Sequence, residues 1–238
     1  MDSQLKISFC IPCMGRLHHL KETLPKNIEE SSNYNNVEFI VLNYNSADKL
    51  DEWMRDNMMD HIKTGKIVYY KTIEPKYFRM SHSKNMVNRL GTGDLLFTLD
   101  ADTFISKDIC HYCDKVFSEN KLLIGKNSGN ICLRSYFFHK VRGYDEEMVG
   151  WGKEDKDFYY RCIEYLGMRG GEFFADMTEE IKHPQLESRC HFDPKFRNMK
   201  YTRNYNGNIM RKRTRDINKK SYGQGVVYKN FSNIPIVL

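Results

Sequence analysis

Residues 94–102 read DLLFTLDAD. The apolar run over 94–99, set off by Gly91 and Gly93, predicts a buried strand. Asp100 and Asp102 stand at its end, two positions apart, so strand alternation sends both carboxylates to the same side. Two carboxylates held together repel unless something positive neutralises them. A divalent cation with oxygen ligands does so directly.

Outward from this point, residues 6–12 (KISFCIP), 37–43 (VEFIVLN) and 66–72 (KIVYYKT) predict three more buried strands. Residues 18–28, 48–61 and 83–90 have helical composition. The alternation predicts βαβ units and an α/β fold around a mostly parallel sheet. Ligands of such sheets bind at the carboxyl ends of the strands. That rule sets the 12–16 loop, the 43–46 turn and 100–102 along one rim. Further on, 130–138 reads as strand, 156–166 as helix and 172–175 as a short strand.

The chain has 238 residues and 28.3 kDa, enough to bury a core without disulfide or metal staples. With 40% hydrophobic and 29% charged residues it is not a disordered chain. No run reaches the ~18 to 20 apolar residues of a membrane span, and the N-terminus lacks a secretory pattern. With an odd number of cysteines, seven, this predicts reduced thiols and a cytoplasmic location. Cys10/Cys13 and Cys110/Cys113 have metal-like spacing, but 96 residues separate the pairs. Small buried apolar roles fit them better than zinc.

The net charge of +6 is unevenly spread. Residues 195–220 hold ten Lys or Arg and one acid, Asp216. The remainder holds 27 basic and 30 acidic residues. Such a patch attracts polyanions, and Tyr201, Tyr205 and Tyr222 among the charges offer stacking surfaces. The composition change sets 195–238 apart as a basic C-terminal extension packed on, or covering, a 1–194 domain with halves of about 1–105 and 106–194.

Two further strings carry chemistry. Gly150-Trp151-Gly152-Lys153-Glu154-Asp155-Lys156-Asp157 joins glycines that permit tight turns, a large ring and three carboxylates entering a helix. A plain capping role is the alternative for some of these acids, Asp157 first. Ile181-Lys182-His183-Pro184 offers a histidine that could complete an Asp100/Asp102 cation site, with His191 and His111 weaker. Imidazole favours Mn2+ over Mg2+.

Together these strings resemble the inverting GT-A-fold glycosyltransferases, nearest to the β1,4-galactosyltransferase and chondroitin-polymerase type. The likeness runs through Ile11–Arg16 with His19-Leu20-Lys21, then Ser83-Lys84-Asn85, Gly93-Asp94 and Leu99–Asp102, then 150–157 and 181–183, in that order over residues 6–185. It implies a three-layer α/β/α sandwich and transfer of a sugar from a nucleotide sugar, a UDP-sugar, to an acceptor hydroxyl on a glycan, lipid-linked or protein acceptor. Asp102 and His183 would hold Mn2+ or Mg2+, and Asp100 the ribose or the ion's water shell. Pro12 and Arg16 would line the uridine pocket, with Asn43 and Lys84 also on the donor side. Asp155 would be the general base, Glu154 would hold sugar hydroxyls, and Trp151 would pack on the sugars. Cations between 189 and 213 would fold over the donor.

The sequence departs from the pattern at Asn43-Tyr44-Asn45-Ser46, where many relatives place an acid that reads the base, and at Cys13-Met14. The region from Lys195 onward has no counterpart. The rivals are a nucleic-acid-binding protein using 195–220, which leaves 150–157 unexplained, a nucleotidyltransferase of related fold, and an inactive sugar binder, which the intact acidic and histidine positions disfavour.

Overall fold

Residues 4–117, 123–124, 129–168, 177–184, 187, 189–212 and 217–238 are described by the computed structural model. Four strands form the centre: Ile7–Cys13 (β1), Val37–Tyr44 (β2), Ile67–Thr72 (β3) and Leu95–Thr98 (β4). They lie in the order β3-β2-β1-β4, all parallel. β1, β2 and β4 are buried along their whole length, so they read as continuous apolar runs. Phe9 sits in register with Phe39 on one side and Phe97 on the other, with ring centroids 5.0 Å apart in both pairs. This aromatic row fills the middle of the core.

Helices Leu17–Glu30 (α1), Leu50–Asn57 (α2), Met59–Lys63 (α3) and Met80–Leu90 (α4) connect the strands. The helix predicted over 48–61 is thus two helices. β4 lies on the far side of β1 from β2, so the direction of winding reverses between β1 and β4 and opens a crevice at their carboxyl ends.

Beyond β4 come Thr103–Ile105 (β5), Ile109–Phe117 (α5), Leu123–Ile124 (β6), Ile131–Arg134 (β7), Ser135–Lys140 (α6), Glu154–Leu166 (α7) and Thr178–Glu180 (β8). The strand predicted over 130–138 is only half strand: β7 pairs antiparallel with β4, and the chain then turns into α6. The strand predicted over 172–175 lies outside the described residues. β5 and β8 pair antiparallel as a separate two-stranded sheet.

The basic C-terminal region contains helix Met199–Arg211 (α8) and strands Val226–Lys229 (β9) and Pro235–Val237 (β10). β9 pairs antiparallel with β3, and β10 with β9. The last strands are therefore the edge of the central sheet and not a layer laid over it. Among the described residues the sheet has eight strands in the order β10-β9-β3-β2-β1-β4-β7-β6, and all but β7 and β9 point the same way.

The cysteine pairs form no metal cluster among the described residues. Cys10, Cys13, Cys110 and Cys113 are buried, and burial pushes the thiols of Cys13 and Cys110 up to about 12. No helix among the described residues is long and apolar enough to cross a membrane.

Candidate active site

A cavity of about 570 Å³ opens at the β1–β4 crevice. Its lining includes Pro12, Arg16, Lys84, Asp100, Asp102, Trp151, Glu154, Asp155 and His183, nine of the ten residues to which the resemblance gives a role. The exception is Asn43. It is buried, and its carboxamide donates to Asp51 (3.1 Å) and the Tyr69 hydroxyl (3.0 Å) and accepts from the Ser46 backbone N–H (2.7 Å). Its role is to build the turn beneath the cavity, where the Ser46 hydroxyl in turn accepts from the Gly15 backbone N–H at 2.6 Å. Gly15 has φ +66, and a Cβ there would stand 1.9 Å from the His191 ring, so this position requires glycine.

Asp100 and Asp102 both face the cavity, though not by strand alternation. β4 ends at Thr98, and the two residues lie in a turn closed by the Thr103 N–H donating to the Asp100 carbonyl (3.1 Å). The β5–β8 pairing then explains how a residue 81 positions away meets Asp102. Thr103 pairs with Glu180, the Ile181 N–H donates to the Asp102 carbonyl (2.9 Å), and His183 Nε2 arrives 2.9 Å from Asp102 Oδ2. Burial and the neighbouring Asp100 charge push the Asp102 carboxyl above its usual range. A cation there would relieve both causes. The 2.9 Å spacing also matches the ~3 Å between adjacent donors around an octahedral ion with bonds of ~2.1 Å. One carboxylate and one imidazole so placed suit a divalent metal, with Asp100 beside them on the cavity wall.

A second group of possible ligands, His18, His19 and Glu187, lies beside it. Arg16 already occupies that group, donating to Glu187 at 2.8 Å and lying 3.1 Å from His19 Nδ1.

The opposite wall comes from the 150–157 string. Gly150 (φ +60), Gly152 (φ +101) and Lys153 (φ +82) are left-handed, which swings Trp151 into the cavity and starts α7 at Glu154. A non-glycine residue held at positive φ is costly, and such strain concentrates at functional sites. Lys84, on α4 and 1% exposed, donates from Nζ to Asp155 Oδ1 at 2.6 Å. Burial disfavours its charge, but Asp155, Asp100 and Glu154 outweigh that and hold it protonated, well above the usual lysine value. Glu154 is 3% exposed, and burial followed by the Asp155 charge pushes its carboxyl up to about 7. Asp155 is raised as well, by burial, against the opposing pull of Lys84. Asp157 is not a cap: it accepts from Arg161 Nε at 2.7 Å in a pair buried on both sides.

Sequence reading missed several lining residues, among them Phe78, Met80, Gly129 and Glu180; His191, the weaker metal candidate, lines the cavity as well. Arg203 comes from the basic region and lies 4.4 Å over the Trp151 ring. The inner face of the same helix holds the loop: Asn206 donates to the carbonyls of Val149 (3.0 Å) and Gly152 (2.8 Å) and accepts from the Val149 N–H (3.0 Å), and Thr202 donates to the Trp151 carbonyl (3.0 Å).

Two family profiles match consecutive parts of the chain: glycosyltransferase like family 2 over residues 8–123, and the N-terminal domain of galactosyltransferase over 119–186. Together these glycosyltransferase profiles span residues 8–186, and the fold is of the GT-A type. Solved structures agree on that fold. The catalytic domain of Drosophila β1,4-galactosyltransferase 7 in complex with xylobiose has 15% identity and TM-score 0.60, covering 98% of this chain and 91% of that one. Another structure of that protein, a mutant with manganese, UDP-Gal and xylobiose, gives 14% and 0.57 over 83% and 79%. The Pyrobaculum calidifontis mannosyltransferase PcManGT, in complex with GDP-Man and Mn2+, gives 14% and 0.60 over 71% and 55%. Staphylococcus aureus TarS 1–349 gives 14% and 0.58 over 72% and 58%. The match thus spans little more than half the length of the latter two. No curated protein sequence matches the chain.

Proposed function

We propose that this glycosyltransferase is a metal-dependent, inverting enzyme that moves a sugar from a UDP-sugar to a hydroxyl of a glycan acceptor. One observation carries the reading: Asp102 and His183 converge to 2.9 Å on one wall of a cavity whose other wall presents Asp155 clamped by a buried lysine. Asp102 and His183 would hold Mn2+ or Mg2+, with Asp100 at the ion's water shell or the donor ribose. When bound, the ion neutralises the diphosphate that departs. The similar fold of the Drosophila protein in complex with manganese, UDP-Gal and xylobiose supports the choice of ion, donor and acceptor class.

Asp155 is the base. Lys84 fixes Oδ1 and Glu154 lies against the same carboxylate, which the acceptor hydroxyl would approach from the cavity. As the acceptor oxygen bonds to the anomeric carbon, the carbon–oxygen bond to the diphosphate breaks and the hydroxyl proton passes to Asp155. Attack on the face opposite the diphosphate inverts the configuration. Pro12, Met14 and Arg16 line the donor end, and Trp151 offers its ring to a sugar.

The test is nucleoside diphosphate release from a panel of UDP- and GDP-sugars with Mn2+, without added acceptor, because slow donor hydrolysis needs none. A signal with a UDP-sugar that EDTA abolishes and Mn2+ restores is expected. Release unaffected by EDTA would overturn metal dependence, and no release from any donor would overturn the reading.

A further inference from the structure

A second cavity of about 530 Å³ backs onto the first. The wall between them is one residue thick. Phe78 faces both, and three pairs of consecutive residues split across it: Arg79 and Met80, Gly150 and Trp151, Phe192 and His191, the first of each pair in the second cavity. Tyr44, Phe78 and Phe192 give the second cavity a continuous aromatic face. Tyr44 meets Phe78 edge-on at 5.7 Å, and Phe78 stacks on Phe192 at 6.0 Å.

Charged groups surround this face. Glu74 accepts the Val226 N–H on Oε2 (2.8 Å), and Glu146 accepts Asn85 and the Gly223 N–H on Oε1 (2.8 and 2.6 Å). Each keeps its other oxygen without a hydrogen bond among the described residues. The exposed Arg79 guanidinium likewise has no partner among them. The carboxylates disfavour an anion, and the polar rim disfavours a purely apolar group. A ring with C–H faces and hydroxyl edges satisfies both parts: its faces pack on the aromatics, its hydroxyls donate to Glu74 and Glu146, and Arg79 donates to its oxygens.

We infer that this second cavity binds a neutral sugar residue of the acceptor other than the one that reacts, so that the acceptor is an oligosaccharide spanning both cavities. The inference deepens the glycosyltransferase reading and rests on it. Trp151 and Gly150, adjacent in the chain, mark where an oligosaccharide would pass from one cavity to the other.

The experiment is saturation-transfer NMR on the full chain with cellobiose, lactose and xylobiose, with and without saturating UDP and Mn2+. UDP affinity is measured on the same samples by calorimetry. At least one disaccharide is expected to receive saturation, and to keep it when UDP and Mn2+ fill the first cavity. Arg79→Gln and Tyr77→Ala, both in the second cavity alone, should each weaken that disaccharide at least about fivefold, the scale of one hydrogen bond or one ring contact, with UDP affinity unchanged. No transfer to any of the three, a signal displaced by UDP and Mn2+, or one that neither substitution weakens would overturn the inference. Loss of UDP binding in the unsubstituted protein would instead overturn the nucleotide-sugar reading, whatever the disaccharides do.

Discussion

Lys84 brings the one ammonium group that meets Asp155 in the cavity wall, and it does so from a helix buried almost throughout. The pairing orients the Asp155 carboxylate. Asp155→Asn keeps the shape and most of the hydrogen bonding while removing the base. Its kcat should fall by about 10² to 10⁴, the usual range for a lost general base, with UDP affinity unchanged by calorimetry; unaltered kcat would remove Asp155 from the mechanism. Glu154 supplies a pH signature. Burial and Asp155 raise its carboxyl from 4.5 to about 7, so between these values the folded chain holds a proton that the unfolded chain has released. The contribution of this group to stability is therefore full below 4.5 and is lost as pH rises through about 7. Activity runs the opposite way, because the Glu154/Asp155 pair must shed its shared proton before Asp155 can accept another. The rate should climb through an apparent midpoint near 7 that belongs to the pair. Glu154→Gln should move that midpoint down and flatten the acid-to-neutral fall in urea stability. An unshifted midpoint would show that another group sets it.

At the scale of elements, the sequence displays those parts whose burial is simple. β1, β2 and β4 were legible because strands covered on both faces read as near-continuous apolar runs, β3 by its apolar Ile67–Tyr70, and the rim followed from the strand-end rule. The meeting of Asp102 with His183 was suggested by their chemistry and the family resemblance, not by local pattern, because the strands that cause it, β5 and β8, have three residues each and no periodicity to read. The helix α8 was hidden by its own charge: Lys200, Arg203 and Arg211 dominate its composition, while the residues that decide its position, Thr202 and Asn206, are small and polar. Asn43 misled for the reverse reason, since a polar residue at a strand end looks like a ligand contact until its partners are seen. Because Asn206 makes three hydrogen bonds to the backbone on either side of Trp151, Asn206→Ala should cost about 2 to 4 kcal/mol in urea unfolding. It should also lower kcat/KM by about tenfold or more, since small misplacements of positioned groups are expensive. Asn208→Ala, on the exposed face of the same helix, should change stability by no more than about 0.5 kcal/mol. Equal effects from the two would mean that α8 does not hold the loop.

Across the whole molecule, the C-terminal hairpin and the active-site rim are joined by one line of hydrogen bonds. Asn230 pairs with Tyr69 twice, its backbone N–H donating to the Tyr69 carbonyl (2.7 Å) and its side chain accepting the Tyr69 N–H (2.8 Å). The Tyr69 hydroxyl donates to Asp51 and accepts from Asn43, Asn43 accepts from Ser46, and Ser46 accepts from Gly15 in the first loop of the cavity. Phe231 adds a ring 5.0 Å from that of Tyr69, with the Arg55 guanidinium 4.3 Å from the Phe231 ring centroid. Without β9 and β10, β3 would become an open edge strand with unpaired backbone groups, the arrangement most prone to pairing with another chain. Removal of residues 226–238 should therefore lower the urea midpoint and produce concentration-dependent association in sedimentation velocity. Asn230→Ala separates the two effects: it keeps the strands and loses one side-chain hydrogen bond at a left-handed position (φ +48), so it should cost about 1 to 2 kcal/mol without association. A truncated chain that stays monomeric with an unchanged midpoint would show that the hairpin is an appendage, and the basic region would again have to be read as a segment separate from the sheet.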